Sequence, residues 1–113
     1  MLKKAIVVSV SVLSLVFSVG TVFAAGQGAK VIILKGGSMG NVEFLHQDHQ
    51  LTLKNCEVCH KLFPQEPGSI QELIDAGSLQ KKQVMNVCIS CHKETAAKGK
   101  DSGPTSCKEC HNK

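Results

Sequence analysis

Six cysteines fall into three identical groups: Cys56-Glu57-Val58-Cys59-His60, Cys88-Ile89-Ser90-Cys91-His92 and Cys107-Lys108-Glu109-Cys110-His111. Each pair is separated by two residues and followed at once by histidine, the C-x-x-C-H spacing through which c-type haem is attached. The two thiols can add across the two vinyl groups of one porphyrin as thioethers, while the adjacent imidazole turns under the ring and coordinates iron. A histidine behind each of three Cys pairs by accident has odds on the order of one in ten thousand. Three motifs therefore imply three haems, attached at Cys56, Cys59, Cys88, Cys91, Cys107 and Cys110. Zinc explains the pattern less well, since three pairs make one and a half four-Cys sites and leave the trailing histidines unused. A disulfide across each pair would leave a small domain with nothing to pack around.

Counting ligands sharpens the reading. Three low-spin irons need six axial ligands; His60, His92 and His111 supply three, and the chain has five histidines in all. The other two stand in Phe44-Leu45-His46-Gln47-Asp48-His49, where an i, i+3 spacing puts both imidazoles on one side of a helical turn, from which they can reach two neighbouring haems. One iron still lacks a sixth ligand. The candidates are Met85, Met39, a lysine amine or nothing. Met85, three residues before Cys88, is favoured, because a thioether is a known axial ligand that raises the reduction potential relative to bis-histidine iron. As a competing role, methionine is ordinary core filler. Met39 sits in the Gly-rich turn Lys35-Gly36-Gly37-Ser38-Met39-Gly40-Asn41 and reads as an exposed tip.

The elements that must hold these groups are short. Apolar runs at Val31 to Leu34 and Val42 to Leu45 flank the glycine turn and read as a small hairpin. Between the first two motifs, residues 61–87 form a long connection. There Ser69-Ile70-Gln71-Glu72 fits a capping box, Gly77 is placed to end the helix, and Pro64 and Pro67 set it off from the preceding turn. This connection reads as a cover over haem edges, with a partner-docking lobe as the alternative. The linker from Lys93 to Pro104 reads as a short helix and an exposed loop.

The chain as a whole, 113 residues, holds one small domain at most. Lys3 and Lys4 precede an apolar run from Ala5 to Val22, and Val22-Phe23-Ala24 offers small residues for cleavage, so residues 1–24 read as an export signal removed from a domain of residues 25–113. An uncleaved leader would instead tether the domain to the inner membrane. Without the leader the aromatic side chains are Phe44 and Phe63 alone, too few for a core, so something other than side chains must fill it. The expected fold is thus small, mostly α and irregular, with a short N-terminal β-hairpin and the chain wrapped around three covalently bound c-type haems.

Taken together from Val31 to Lys113, these features resemble a triheme cytochrome c7, a branch of the small multihaem cytochrome c3 family. In that branch an N-terminal hairpin leads into a Phe-x-His-x-x-His segment, which Phe44-Leu45-His46-Gln47-Asp48-His49 matches, followed by three C-x-x-C-H sites and a Lys-rich end. The resemblance implies that His46 is the distal ligand of the haem on Cys56, Cys59 and His60, and His49 that of the haem on Cys88, Cys91 and His92. The family places another histidine shortly before the second attachment site. This chain has none between Lys61 and Val87, which leaves Met85 for the third haem. The connection at 61–87 is also longer than the family's.

Charge excludes little by itself. Loss of Lys3 and Lys4 leaves 11 lysines against 9 acids, and three ferric haems with ionised propionates bring the loaded protein near neutrality. Lys93, Lys98, Lys100, Lys108 and Lys113 still gather around the last two motifs, where they could steer an acidic partner or simply keep that face solvated. Irons with two protein ligands each leave no position for substrate, so the expected function is electron transfer and not enzymic turnover. The resemblance implies a monomeric periplasmic carrier in an anaerobic metal- or sulfur-respiring bacterium. It would run between an inner-membrane quinol-oxidising complex and terminal or outer-surface cytochromes and reductases, with no nucleic acid and no stable membrane insertion once the leader is gone. The alternative is a haem protein whose third iron is open and binds or reduces a small ligand.

Overall fold

A computed structural model describes residues 27–112; the expected leader, its cleavage site and Lys113 lie outside the described residues. The apolar runs flanking the glycine turn pair as expected. Strand β1 (Ile32–Leu34) is antiparallel to β2 (Asn41–Phe44), with Ile32 opposite Phe44 and Leu34 opposite Val42. Those four side chains are half-buried on one face, while Ile33, Asn41 and Glu43 point outward, the alternation of a sheet with one covered side. A single 3₁₀ turn, Gly37–Met39, joins the strands. Gly37 and Gly40 hold φ of 60° and 92° there, values that a side chain would strain.

Helix α1 (His46–Leu53) follows directly and is strapped to the segment before the hairpin. Gln47 N donates to Lys30 O at 3.0 Å and Gln50 Nε2 to Gln27 O at 2.7 Å. The first Cys-Cys-His group forms the single turn α2 (Glu57–His60). The second lies inside α4 (Lys81–Ala97), and the third forms α5 (Cys107–Cys110). The helix expected near Lys93 is therefore the end of α4, which runs without a break through the second motif. Gln80 and Gln83 cap its start reciprocally, each side chain reaching the other's backbone.

Helix α3 (Ser69–Asp75) occupies the long connection, but its start departs from the expected capping box. Gly68, at φ 80°, takes the N-cap position, and the Ser69 hydroxyl turns back to Pro64 O at 2.9 Å instead of toward the helix. The expected end is found. Ser78 N donates to Leu73 O and Gly77 N to Ile74 O, a Schellman motif with Gly77 in the left-handed conformation.

A third strand had no counterpart in the sequence pattern. The last described residues, β3 (His111–Asn112), pair antiparallel with β2, Asn41 facing Asn112 and Val42 facing His111, so the sheet runs β1-β2-β3. This places the third motif's histidine against the hairpin. Among the described residues the buried apolar side chains are Phe63 and Leu79, both in the long connection, and no helix is long and apolar enough to cross a membrane.

Candidate functional site

Each C-x-x-C-H group winds as a helical turn. In the first, Cys59 N and His60 N both donate to Cys56 O, at 3.3 and 2.9 Å. Residues three apart on a helix share a side, so the two thiols of a group face one way; in the first two groups the histidine follows on the same flank, whereas His111 leaves α5 for β3. No disulfide joins any of the six cysteines. Burial pushes the Cys88 thiol up, and the nearby thiols of Cys59, Cys110 and Cys91 raise it further. Cys59 is raised by burial and then by Cys91, and Cys110 by burial, Glu109 and Cys107. The three groups thus converge, with α4 between the other two.

The five imidazoles share one arrangement. His46 Nδ1 lies 2.8 Å from Ala29 O, His49 Nδ1 2.8 Å from Leu45 O, His60 Nδ1 2.7 Å from Phe63 O, His92 Nδ1 2.6 Å from Pro104 O and His111 Nδ1 2.8 Å from Gly40 O. A carbonyl can only accept, so Nδ1 donates in every case, which in a neutral ring places the lone pair on Nε2. That is the state of a metal-ligating histidine, its other nitrogen held by a backbone acceptor. Sequence reasoning missed all five acceptors, because a carbonyl belongs to every residue and leaves no signature.

Four of the five imidazoles form two facing pairs. The ring centroids of His46 and His60 are 6.1 Å apart, and those of His49 and His92 are 6.2 Å apart. An imidazole nitrogen binds such metals at roughly 2.0–2.1 Å and lies about 1.1 Å from its ring centre, so two imidazoles on opposite sides of one metal have centroids about 6.2–6.4 Å apart. Both separations agree with that arrangement. The pairing is also the one that the resemblance implies: His46 faces the first motif's histidine and His49 the second's. Phe44 packs beside both imidazoles of α1, its centroid 6.0 Å from His46 and 4.4 Å from His49. The ring planes differ between pairs, 82° for His46 and His60 against 37° for His49 and His92.

His111 has no facing imidazole among the described residues. It borders an open cavity of about 1170 Å³ that also reaches His46, His60, Cys88 and Cys110, larger than the roughly 300–1,000 Å³ of a small-ligand pocket. Met39 and Met85 both line this cavity, 44% and 42% exposed, and so do residues of the long connection from Phe63 to Ile74. Side chains alone leave the space between the motifs unfilled, while Cys56, Cys88, the pair Cys107 and Cys110, and the residues His46, His60 and His111 border it. The residues present therefore fit covalently held haem.

Two glycines belong to the site although their neighbours in sequence do not suggest it. At Gly36 a Cβ would fall 2.5 Å from His111 Nδ1, and at Gly103 within 2.9 Å of three atoms of the His92 ring.

Comparison with known proteins agrees. The family model described as cytochrome c7 and related cytochrome c matches residues 42–112. Over 98 residues the chain is 33% identical to a cytochrome c7 of Geobacter metallireducens, spanning 87% of this chain and 88% of that one. Two solved cytochromes of Geobacter sulfurreducens are similar: the cytochrome c7 PpcB (30% identity, TM-score 0.53) and the triheme cytochrome PpcA (31% identity, TM-score 0.54). Each is covered completely, against 75% of this chain. The match runs over both histidines of α1 and every Cys-Cys-His group, and the chain accordingly belongs to the cytochrome c7 family, as an electron-transfer protein with three covalently bound c-type haems.

Proposed function

We propose that this protein is a soluble, monomeric periplasmic carrier, made with a leader over residues 1–24 and working as a single domain of residues 25–113. In this reading it takes electrons from an inner-membrane quinol-oxidising cytochrome and delivers them to terminal reductases or outer-membrane multihaem cytochromes. The residues that would hold the three irons are His46 with His60, His49 with His92, and His111 with Met85. Bound haem supplies the one-electron ferric/ferrous couple. The polypeptide would attach it through six thiols, position each imidazole through a backbone carbonyl at Nδ1, and leave no open position for a substrate. The observation that carries the reading is the pair of imidazole separations, 6.1 and 6.2 Å, with all five Nδ1 atoms tied to carbonyl oxygens. Support for Met85 is its place on the wall of the cavity that His111 borders. Met39 lines the same cavity, yet it stands beside Gly40, whose carbonyl already holds His111 from behind.

The test is the visible spectrum of reduced holoprotein exposed to carbon monoxide. An unchanged low-spin spectrum supports three capped irons and a carrier. A shift in about a third of the signal supports a second reading, an open third iron that binds a small ligand, which the lack of an imidazole facing His111 favours. Redox titration of Met85→His then separates the ligands: the highest-potential transition falls if Met85 is bound, and stays put if it is not. The intact mass of protein recovered from the periplasmic fraction tests the leader.

A further inference from the structure

The loop joining α4 to α5 closes back onto His92. Gly103 has a φ outside the left-handed region, so its backbone would accept any residue. What excludes a side chain is the imidazole: a Cβ would stand 2.4 Å from Cε1, 2.5 Å from Nε2 and 2.9 Å from Nδ1 of His92. The residues on either side hold the same histidine. Pro104 O accepts the Nδ1 proton at 2.6 Å, the shortest of the five imidazole–carbonyl distances, and Ser102 Oγ donates to the His92 main-chain oxygen at 2.5 Å. By contrast, the acceptor of His49, Leu45 O, is shared with the backbone N–H of His49 itself.

We propose that Ser102-Gly103-Pro104 is a clamp that fixes the rotation of the His92 ring and shortens its Nδ1–H···O bond, and so sets the potential of the haem attached at Cys88 and Cys91. The inference rests on the reading of His92 as an axial ligand. A firmer bond at Nδ1 moves electron density toward Nε2, which favours ferric over ferrous iron and keeps this haem at low potential. Proline puts the acceptor on a residue with restricted φ, and glycine lets it come close. These are positioning residues: none of them would itself touch the iron.

The experiment is Gly103→Ala in the holoprotein, followed by redox titration and by electron paramagnetic resonance of the three ferric signals. One signal and one potential should move, the potential upward, with about a tenfold change in that haem's oxidised-to-reduced ratio at a fixed applied potential, or about 59 mV for one electron. Ser102→Ala should move the same haem in the same direction by less, and it decides the matter alone if Gly103→Ala does not mature. Silence in every maturing variant, or a shift common to all three haems, overturns the clamp. His92→Ala separates the two ideas. If it leaves three low-spin haems, the ligand assignment is wrong and the clamp falls with it. If it yields one high-spin haem while the Gly103 and Ser102 variants are silent, the clamp alone is wrong.

Discussion

Replacing Gly36 by alanine should disturb the third haem through the hairpin, at a distance in sequence of more than 70 residues from His111, the ligand proposed for that haem. A Cβ at Gly36 would lie 1.7 Å from Gly40 O and 2.5 Å from His111 Nδ1. Restoring an ordinary contact of about 3.5 Å requires the Gly40 carbonyl to retreat by ~1.8 Å. That oxygen accepts the Nδ1 proton of His111 at 2.8 Å, and the next residue, Asn41, opens the pairing of β2 with β3. The hydrogen bond to His111 and at least one bond of the β2–β3 ladder are therefore lost, at about 1 kcal/mol each, with hairpin strain on top. The expected total is about 2–3 kcal/mol. The assay pairs a denaturant titration of the holoprotein with a redox titration resolved by haem. Stability should fall by that amount, and the haem attached at Cys107 and Cys110 should change potential while the other two keep theirs. A variant that loses stability with all three potentials intact would refute the link from Gly36 through Gly40 O to His111.

Three further outcomes follow from the same geometry. His46→Ala should convert one third of the low-spin signal to a form that binds carbon monoxide and leave the His49 and His92 pair intact, since His49 is held by the carbonyl of its own helix; titrating the reduced variant with the gas checks it. Phe63→Ala removes one of the two apolar side chains buried among the described residues and should cost about 3 kcal/mol in a denaturant melt, with the low-spin spectrum kept, because His60 is held by the Phe63 carbonyl and not by its ring. Hydrogen bonds from the Ser106 hydroxyl, the Ser106 backbone and the Thr105 backbone hold the Glu109 carboxyl below its ordinary range. A lowered native pKa stabilises above the unfolded value and is lost as pH falls through the folded one, so the wild type should lose order at α5 in acid, followed by amide exchange, and Glu109→Gln should lack that acid-dependent step.

Local chemistry was readable and long-range contact was not. Cysteine and histidine spacing announced the attachment groups, and the glycine turn between two apolar runs announced the hairpin, because each signal is local, the longer running only from Val31 to Leu45. Strand β3 escaped notice because a two-residue strand has no period, and its partner β2 lies about 70 residues upstream. Ser69 followed by Glu72 had the form of a capping box, but Gly68 in the left-handed conformation occupied the cap and freed the hydroxyl for Pro64. Gly103 fell within the linker read as a short helix and an exposed loop. What requires it is a ring 11 positions earlier, a demand that sequence shows only once the loop is seen to fold back.

The two buried apolar side chains described above bear on how the molecule is made. A polypeptide with so little of its own to collapse around cannot complete its tertiary structure ahead of ligation. The thiols of an unloaded chain are then not sealed in a packed core, and each haem attached would supply a piece of the interior that the side chains do not fill. Loading and folding become one event, and a chain that misses a cofactor keeps its backbone open to proteolysis. Destruction of the incomplete product would then act as inspection, so that the surviving pool consists of fully wired molecules.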